Sequence, residues 1–158
     1  MVYVNNAVFA AAAHEDTSIL RKFADKGIPL AGMSDETGTL SNLAHVAACS
    51  GSPETMQFLI DKGVDFMAMT KGIYLCSFFF FMSFAKKKGA WTPLRIAFEL
   101  RRVDMVRLLL DQPAINANEP GSDGVLPLIL AVRSGSPHMV AAVLAKNVDI
   151  NKTDQGGL

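Results

Sequence analysis

Cysteine is nearly absent. Cys49 and Cys76 are the only two in 158 residues. That is too few for a disulfide framework and makes a reducing compartment, cytoplasm or nucleus, the expected setting. A surplus of charge is absent too: fifteen Lys and Arg balance fifteen Asp and Glu. Phosphate contacts need a basic excess, so a dedicated nucleic-acid binder is not expected. Disorder is a poor description of the whole, since half the residues are apolar and 19% are charged. The N-terminus lacks the basic start of a secretory signal, running from Met1-Val2-Tyr3-Val4 into the alanines Ala10 to Ala13.

Catalytic constellations are missing as well. The chain has no His-Glu-x-x-His, no Gly-Lys-Ser/Thr phosphate loop and no Cys-x-x-Cys. His14, His45 and His138 fall in three separate stretches, and Gly156-Gly157 has the context of a turn, not of a nucleotide loop. No catalytic, cofactor or metal residue is assigned, and the chain is not expected to be an enzyme.

Repetition is what the sequence does have. Ala48-Cys49-Ser50-Gly51-Ser52-Pro53-Glu54-Thr55-Met56 matches Val132-Arg133-Ser134-Gly135-Ser136-Pro137-His138-Met139-Val140. Each leads into an apolar stretch, a helix stop and a short extended run. The stops, Gly27, Gly63, Pro113 and Asn147, lie 36, 50 and 34 positions apart. Removing 17 residues from the middle interval brings it to 33, and a period of about 33 denotes stacked helical repeats. Local chemistry agrees. Thr92-Pro93, Ser52-Pro53 and Ser136-Pro137 each place a capping hydroxyl before a proline at the first helical position. Gly51 and Gly135 suit tight interhelical turns, and Met56 to Ile60 and Met105 to Leu110 are apolar at helical spacing.

The chain resembles the ankyrin repeat family over nearly its whole length. The pattern G-x-T-P-L-H-x-A-A, then G-H-x-x-V-V-x-L-L-L-x-x-G-A-D-V-N, appears in pieces: Gly89-Ala90-Trp91-Thr92-Pro93-Leu94, Ala44-His45-Val46-Ala47-Ala48, Val64-Asp65-Phe66-Met67-Ala68 and Val148-Asp149-Ile150-Asn151. The resemblance implies an all-α solenoid of stacked helix–turn–helix units with short β-hairpin fingers. The units run about 5–33, 34–71, 89–119 and 120–152, and the start of a fifth occupies 153–158. Leu128 to Leu130, Val140, Val143 and Leu144 leave little polar covering for a last repeat. The chain is therefore expected to be the N-terminal piece of a longer array.

Departures from the pattern carry expectations too. Glu15-Asp16 and Arg101-Arg102 stand where Gly-His is usual, so each turn must hold a side-chain-bearing residue in a left-handed conformation, at roughly 1 kcal/mol. Asn42-Leu43-Ala44 replaces Thr-Pro-Leu with extra residues before it, so that finger should be irregular. His45, at the T-P-L-H position, is expected to bond neighbouring turns. Cys49 reads as a small apolar filler beside Ala47 and Ala48. Met33, Met67 and Met69 fall near finger tips.

The 17-residue surplus is Gly72 to Lys88, which holds five of the ten phenylalanines: Phe78 to Phe81 and Phe84. Without it, Met69-Thr70-Lys71 joins Gly89-Ala90-Trp91 as an unbroken junction. Three readings stand. As a membrane span it is too short, because Gly72 to Ala85 is 14 residues and about 20 are needed. As a functional loop it would offer Tyr74 and the phenylalanines to a partner. As a translated intron it would have a donor inside the Gly72 codon, a thymine-rich tract encoding the phenylalanines, and an AG acceptor ending Lys88. The intron reading ranks first, and sequencing the messenger RNA separates it from the others.

The family resemblance implies a protein–protein interaction module, a scaffold or adaptor, monomeric and without a membrane span. Its partner would meet finger tips and the exposed side of the first helices. Carried over by position, that side comprises Met67, Met69, Lys71, Ala90, Trp91, Ile96, Glu99, Leu100, Asn118, Ser122, Val125, Leu130 and Arg133, with Trp91 as the leading anchor. Residues 1–70 carry four basic and eight acidic side chains, residues 71–158 eleven and seven. That asymmetry reads either as solvated helix faces or as a patch steering an acidic partner. The alternative function is the regulatory ankyrin portion of a longer enzyme or channel continuing past Leu158.

Overall fold

A helix of seven to twelve residues is marginal alone, so each must gain its stability by laying an apolar side on a neighbour. The computed structural model describes residues 2–34, 42–70, 91–121 and 124–153. Among the described residues, eight helices form four antiparallel pairs: α1 (Val2–Ala13) with α2 (Thr17–Asp25), α3 (Leu43–Ser50) with α4 (Pro53–Asp61), α5 (Pro93–Glu99) with α6 (Val103–Leu110), and α7 (Pro127–Arg133) with α8 (Pro137–Leu144). First helices stack in one row, α1 on α3, α3 on α5 and α5 on α7. Second helices stack in another, α2 on α4, α4 on α6 and α6 on α8. The core runs unbroken between the rows, from Val8, Ala12 and Leu20 through Leu43, Met56 and Leu59 to Phe98, Met105, Leu109 and Met139.

The boundaries follow from capping chemistry. Ser52 and Thr92 accept N–H bonds from Thr55 at 3.2 Å and Arg95 at 3.3 Å, and the next residue in each case is proline. Asp16 caps α2 through Ile19 N–H at 3.1 Å. The Ser18 hydroxyl, and after it that N–H, hold the Asp16 carboxyl below its ordinary pKa. The stability it contributes is therefore present above the ordinary value and is lost as pH falls through the lowered one. Ser136 departs from expectation, making no side-chain cap bond to α8. At the far ends, Gly27 and Gly63 both take φ +77°, and Asn147 takes +54°.

All four interhelical turns place a left-handed residue immediately before the second helix's N-cap. In two it is glycine, Gly51 and Gly135; in the others it is Glu15 at φ +60° and Arg101 at +55°. Each non-glycine residue there costs about 1–2 kcal/mol.

The fingers are slighter than hairpins of strands. Among the described residues they hold an isolated antiparallel bridge, Ser34 to Asn42, and single hydrogen bonds. Gly121 N–H donates to the Val125 carbonyl at 2.9 Å, with three residues between them. Thr70 N–H donates to the Trp91 carbonyl at 3.1 Å, with twenty between. Twenty less the 17 of Gly72 to Lys88 is three, so the bond sits where an uninterrupted finger would place it. The surplus itself falls on residues outside those described. At the last pair, Val132 is 62% exposed, whereas its equivalent one repeat earlier, Phe98, is 2% exposed.

Closing twenty residues costs about 1–2 kcal/mol more than closing three, by the logarithmic loop term. Deleting Gly72 to Lys88 should therefore raise the melting temperature by a few degrees and preserve the helical circular dichroism. A lower melting temperature would show that these residues hold the second and third pairs together.

Candidate functional site

The second finger is built around one carbonyl. Asn42 caps α3, its Oδ1 accepting from Ala44 N–H at 3.0 Å and its amide donating to the Asp65 carbonyl at 2.6 Å. His45 is fully buried, and its Nδ1 accepts the Asn42 backbone N–H at 3.1 Å. Nδ1 also lies 2.8 Å from Asn42 Oδ1; because the Trp91 carbonyl can only accept, Nε2 carries a proton and donates to it at 3.1 Å. Thr70 N–H donates to the same oxygen, and Trp91 N–H returns a bond to Thr70 Oγ1 at 3.2 Å. The imidazole thus ties one repeat's first helix to the next repeat's finger, as the T-P-L-H position implied.

The Trp91 ring is half-buried against the core rather than standing free. Arg95 lies over it at 5.5 Å and donates to Glu99 at 2.6 Å. Arg95 was not among the sequence candidates, although it stands one helical turn before Glu99 and four residues after Trp91, which precedes the α5 cap. Met67, at a bend where its N–H donates to Asp65 Oδ1 at 2.8 Å, and Met69 are 47% and 51% exposed. Met33 is instead buried, so packing explains that methionine. Leu100 and Arg133 are exposed, and Glu99 and Val125 are half-buried. Half-buried Asn118 is spent structurally, accepting from Asp149 N–H at 2.7 Å and donating to the Asn147 carbonyl at 3.3 Å.

Two candidates are corrected. Ile96 and Leu130 are 3% and 8% exposed, inside the core. α5 is packed by α6 and by the first helices on both sides, α3 and α7, and α7 by α8 and α5, so the middle positions of these seven-residue helices face protein. Lys71, Ala90 and Ser122 lie outside the described residues.

A shallow cleft of about 300 Å³ is lined by Arg21, Asp25, Phe58, Asp61 and Lys62. Its two cations stand over the Phe58 ring: Arg21, at 5.0 Å, ties α2 to α4, and Lys62, at 5.7 Å, caps the helix that carries Phe58. Among the described residues, no three His, Cys, Asp or Glu side chains could hold a metal, and no helix is long and apolar enough to cross a membrane.

The family model for ankyrin repeats in three copies matches residues 66–154. Zinc finger CCCH domain-containing protein 24 of Oryza sativa subsp. japonica is 40% identical over 70 residues, covering 42% of this chain and 9% of that protein. Alpha-latrotoxin-Lh1a of Latrodectus hasselti is 33% identical over 91 residues, 58% of this chain and 6% of the toxin. Alpha-latrotoxin-Lt1a of Latrodectus tredecimguttatus matches to the same identity over 91 residues, 58% of this chain and 5% of the toxin. The chain spans less than a tenth of each.

Trp91→Ala should cost roughly 2 kcal/mol in urea unfolding, because half of a large ring is buried. Leu109→Ala, fully buried on α6, should cost about 2–5 kcal/mol. A Trp91→Ala cost below about 0.5 kcal/mol, the range of surface changes, would mean that the ring is a free anchor after all.

Proposed function

The chain belongs to the ankyrin repeat family, and we propose that it acts as a scaffold or adaptor whose finger side binds a partner protein. Ankyrin repeats are generally non-catalytic modules of protein–protein interaction. The observation that carries the finer reading is the pair of exposed methionines, Met67 and Met69, on a backbone fixed by the Thr70–Trp91–His45 bonds. A rigid backbone loses little entropy on association, and flexible thioethers adapt to a partner's contour. Glu99, Leu100, Val125 and Arg133 extend the proposed surface along the first helices. Trp91 contributes its exposed edge, and Asn118 contributes only what its two structural bonds leave. Lys71, Ala90 and Ser122 belong to the proposal by position alone.

A second reading, a regulatory array within a longer polypeptide, is favoured by the small share of each relative that this chain covers. The full open reading frame decides it: a downstream catalytic or channel domain favours regulation, whereas further repeats and a stop codon favour the scaffold.

Met67→Asp with Met69→Asp should leave the melting temperature within a few degrees while weakening the partner by about thirtyfold, the ~2 kcal/mol of a hot spot. Quantitative capture with both baits measures this. A partner retained equally by the double variant would move the binding surface off this finger.

A further inference from the structure

Consecutive arginines at the third interhelical turn break two local rules. Arg101 takes φ +55° where the turns before and after it have Gly51 and Gly135. Arg102 is the N-cap of α6 and makes no side-chain cap bond, where Asp16 and Ser52 cap the two earlier second helices. It also sets a cation at the positive end of a helix dipole. Both choices are locally unfavourable, and outliers held at a cost point to function.

Their placement says what they do. The Arg102 guanidinium covers the preceding turn, 2.7–2.8 Å from where a Cβ on Gly51 would stand, and reaches the Cys49 carbonyl at 3.4 Å. Arg101 leans the other way, its Nη2 4.0 Å from the equivalent point on Gly135. Arg133, exposed at the end of α7, stands two residues before Gly135. None of the three forms an ion pair with a described carboxylate. The acidic side chains nearest in sequence to these turns are the half-buried Glu99, which pairs with Arg95 at 2.6 Å, and the exposed Glu54 and Asp104.

We propose that this turn edge, away from the fingers, is a second binding surface, which takes a short acidic protein segment through Arg101, Arg102 and Arg133. Carboxylates suit guanidinium forks, and the N-termini of α4, α6 and α8 add positive dipole ends along the same edge. Three turns spaced at the usual helix separation span roughly 20 Å, about six residues of extended chain. Beyond them the first turn carries Glu15 and Asp16, which repel a longer polyanion, so a peptide is favoured over nucleic acid or a lipid surface. Arg101 and Arg102 lie outside the proposed finger-side surface, whereas Arg133 is shared with it.

The probe is a fluorescein-labelled hexaglutamate peptide, with hexaglutamine as control, read by anisotropy on the full chain. The wild type should bind hexaglutamate alone, and more weakly as salt rises. Arg101→Gly with Arg102→Ser restores the Gly-Ser of the neighbouring turns; it should weaken the peptide at least tenfold while melting no lower than wild type. Arg133→Ala, which leaves the turn backbone untouched, should weaken it severalfold. No hexaglutamate binding by the wild type, binding kept within twofold by the double variant, or a lower melting temperature for that variant would each overturn the proposal. Tighter binding of a single-stranded oligonucleotide or of phosphatidylserine vesicles would assign the edge to another class of partner and overturn it too.

Discussion

The carbonyl of Trp91 accepts from two directions, Thr70 N–H and His45 Nε2–H, and the continuity of the array depends on it. A helix pair buries only part of its apolar surface alone, so the repeats stand or fall by stacking. Stacking requires each finger to begin its helix pair in the right place. At the second finger that requirement is met across twenty intervening residues, because the atoms that fix the geometry lie outside them. His45 can serve in this way only while its Nδ1 faces the Asn42 N–H, which makes the Asn42 cap a condition for the junction between repeats.

Much of this was legible in the sequence for identifiable reasons. Thr92-Pro93 and Ser52-Pro53 announce helix starts because a hydroxyl and a missing N–H suit the same place. Gly27 and Gly63 announce stops because a left-handed φ is cheap only there. Glu15 and Arg101 were expected in left-handed turns from alignment with Gly51 and Gly135, and they are found there.

Other features were illegible. Ile96 and Leu130 could not be told from partner-facing residues, because an apolar residue on a short first helix faces a neighbouring helix or a partner with the same side chain. The side of Trp91 depended on Arg95, whose guanidinium covers the ring. Ser136 has the sequence of a cap without the bond. The chain thus combines a regular frame with two kinds of irregularity: exposed methionines beside a fixed finger, and arginines that forgo the glycine and the cap the fold would prefer. The first adds adaptable apolar area at modest cost. The second accepts backbone strain and dipole repulsion, and so gives the turn edge a charge unlike that of the first turn.

The frame is continuous from α4 to α5. Native-state hydrogen exchange at the Thr70 amide tests it most directly, since that N–H donates to Trp91 across the interruption. The Thr70 amide should be protected comparably to the buried amides of α3 and α5, with protection lost only when the array opens as a whole. Exchange at the rate of an exposed amide, with α3 and α5 still protected, would contradict it and would make the two halves separate units.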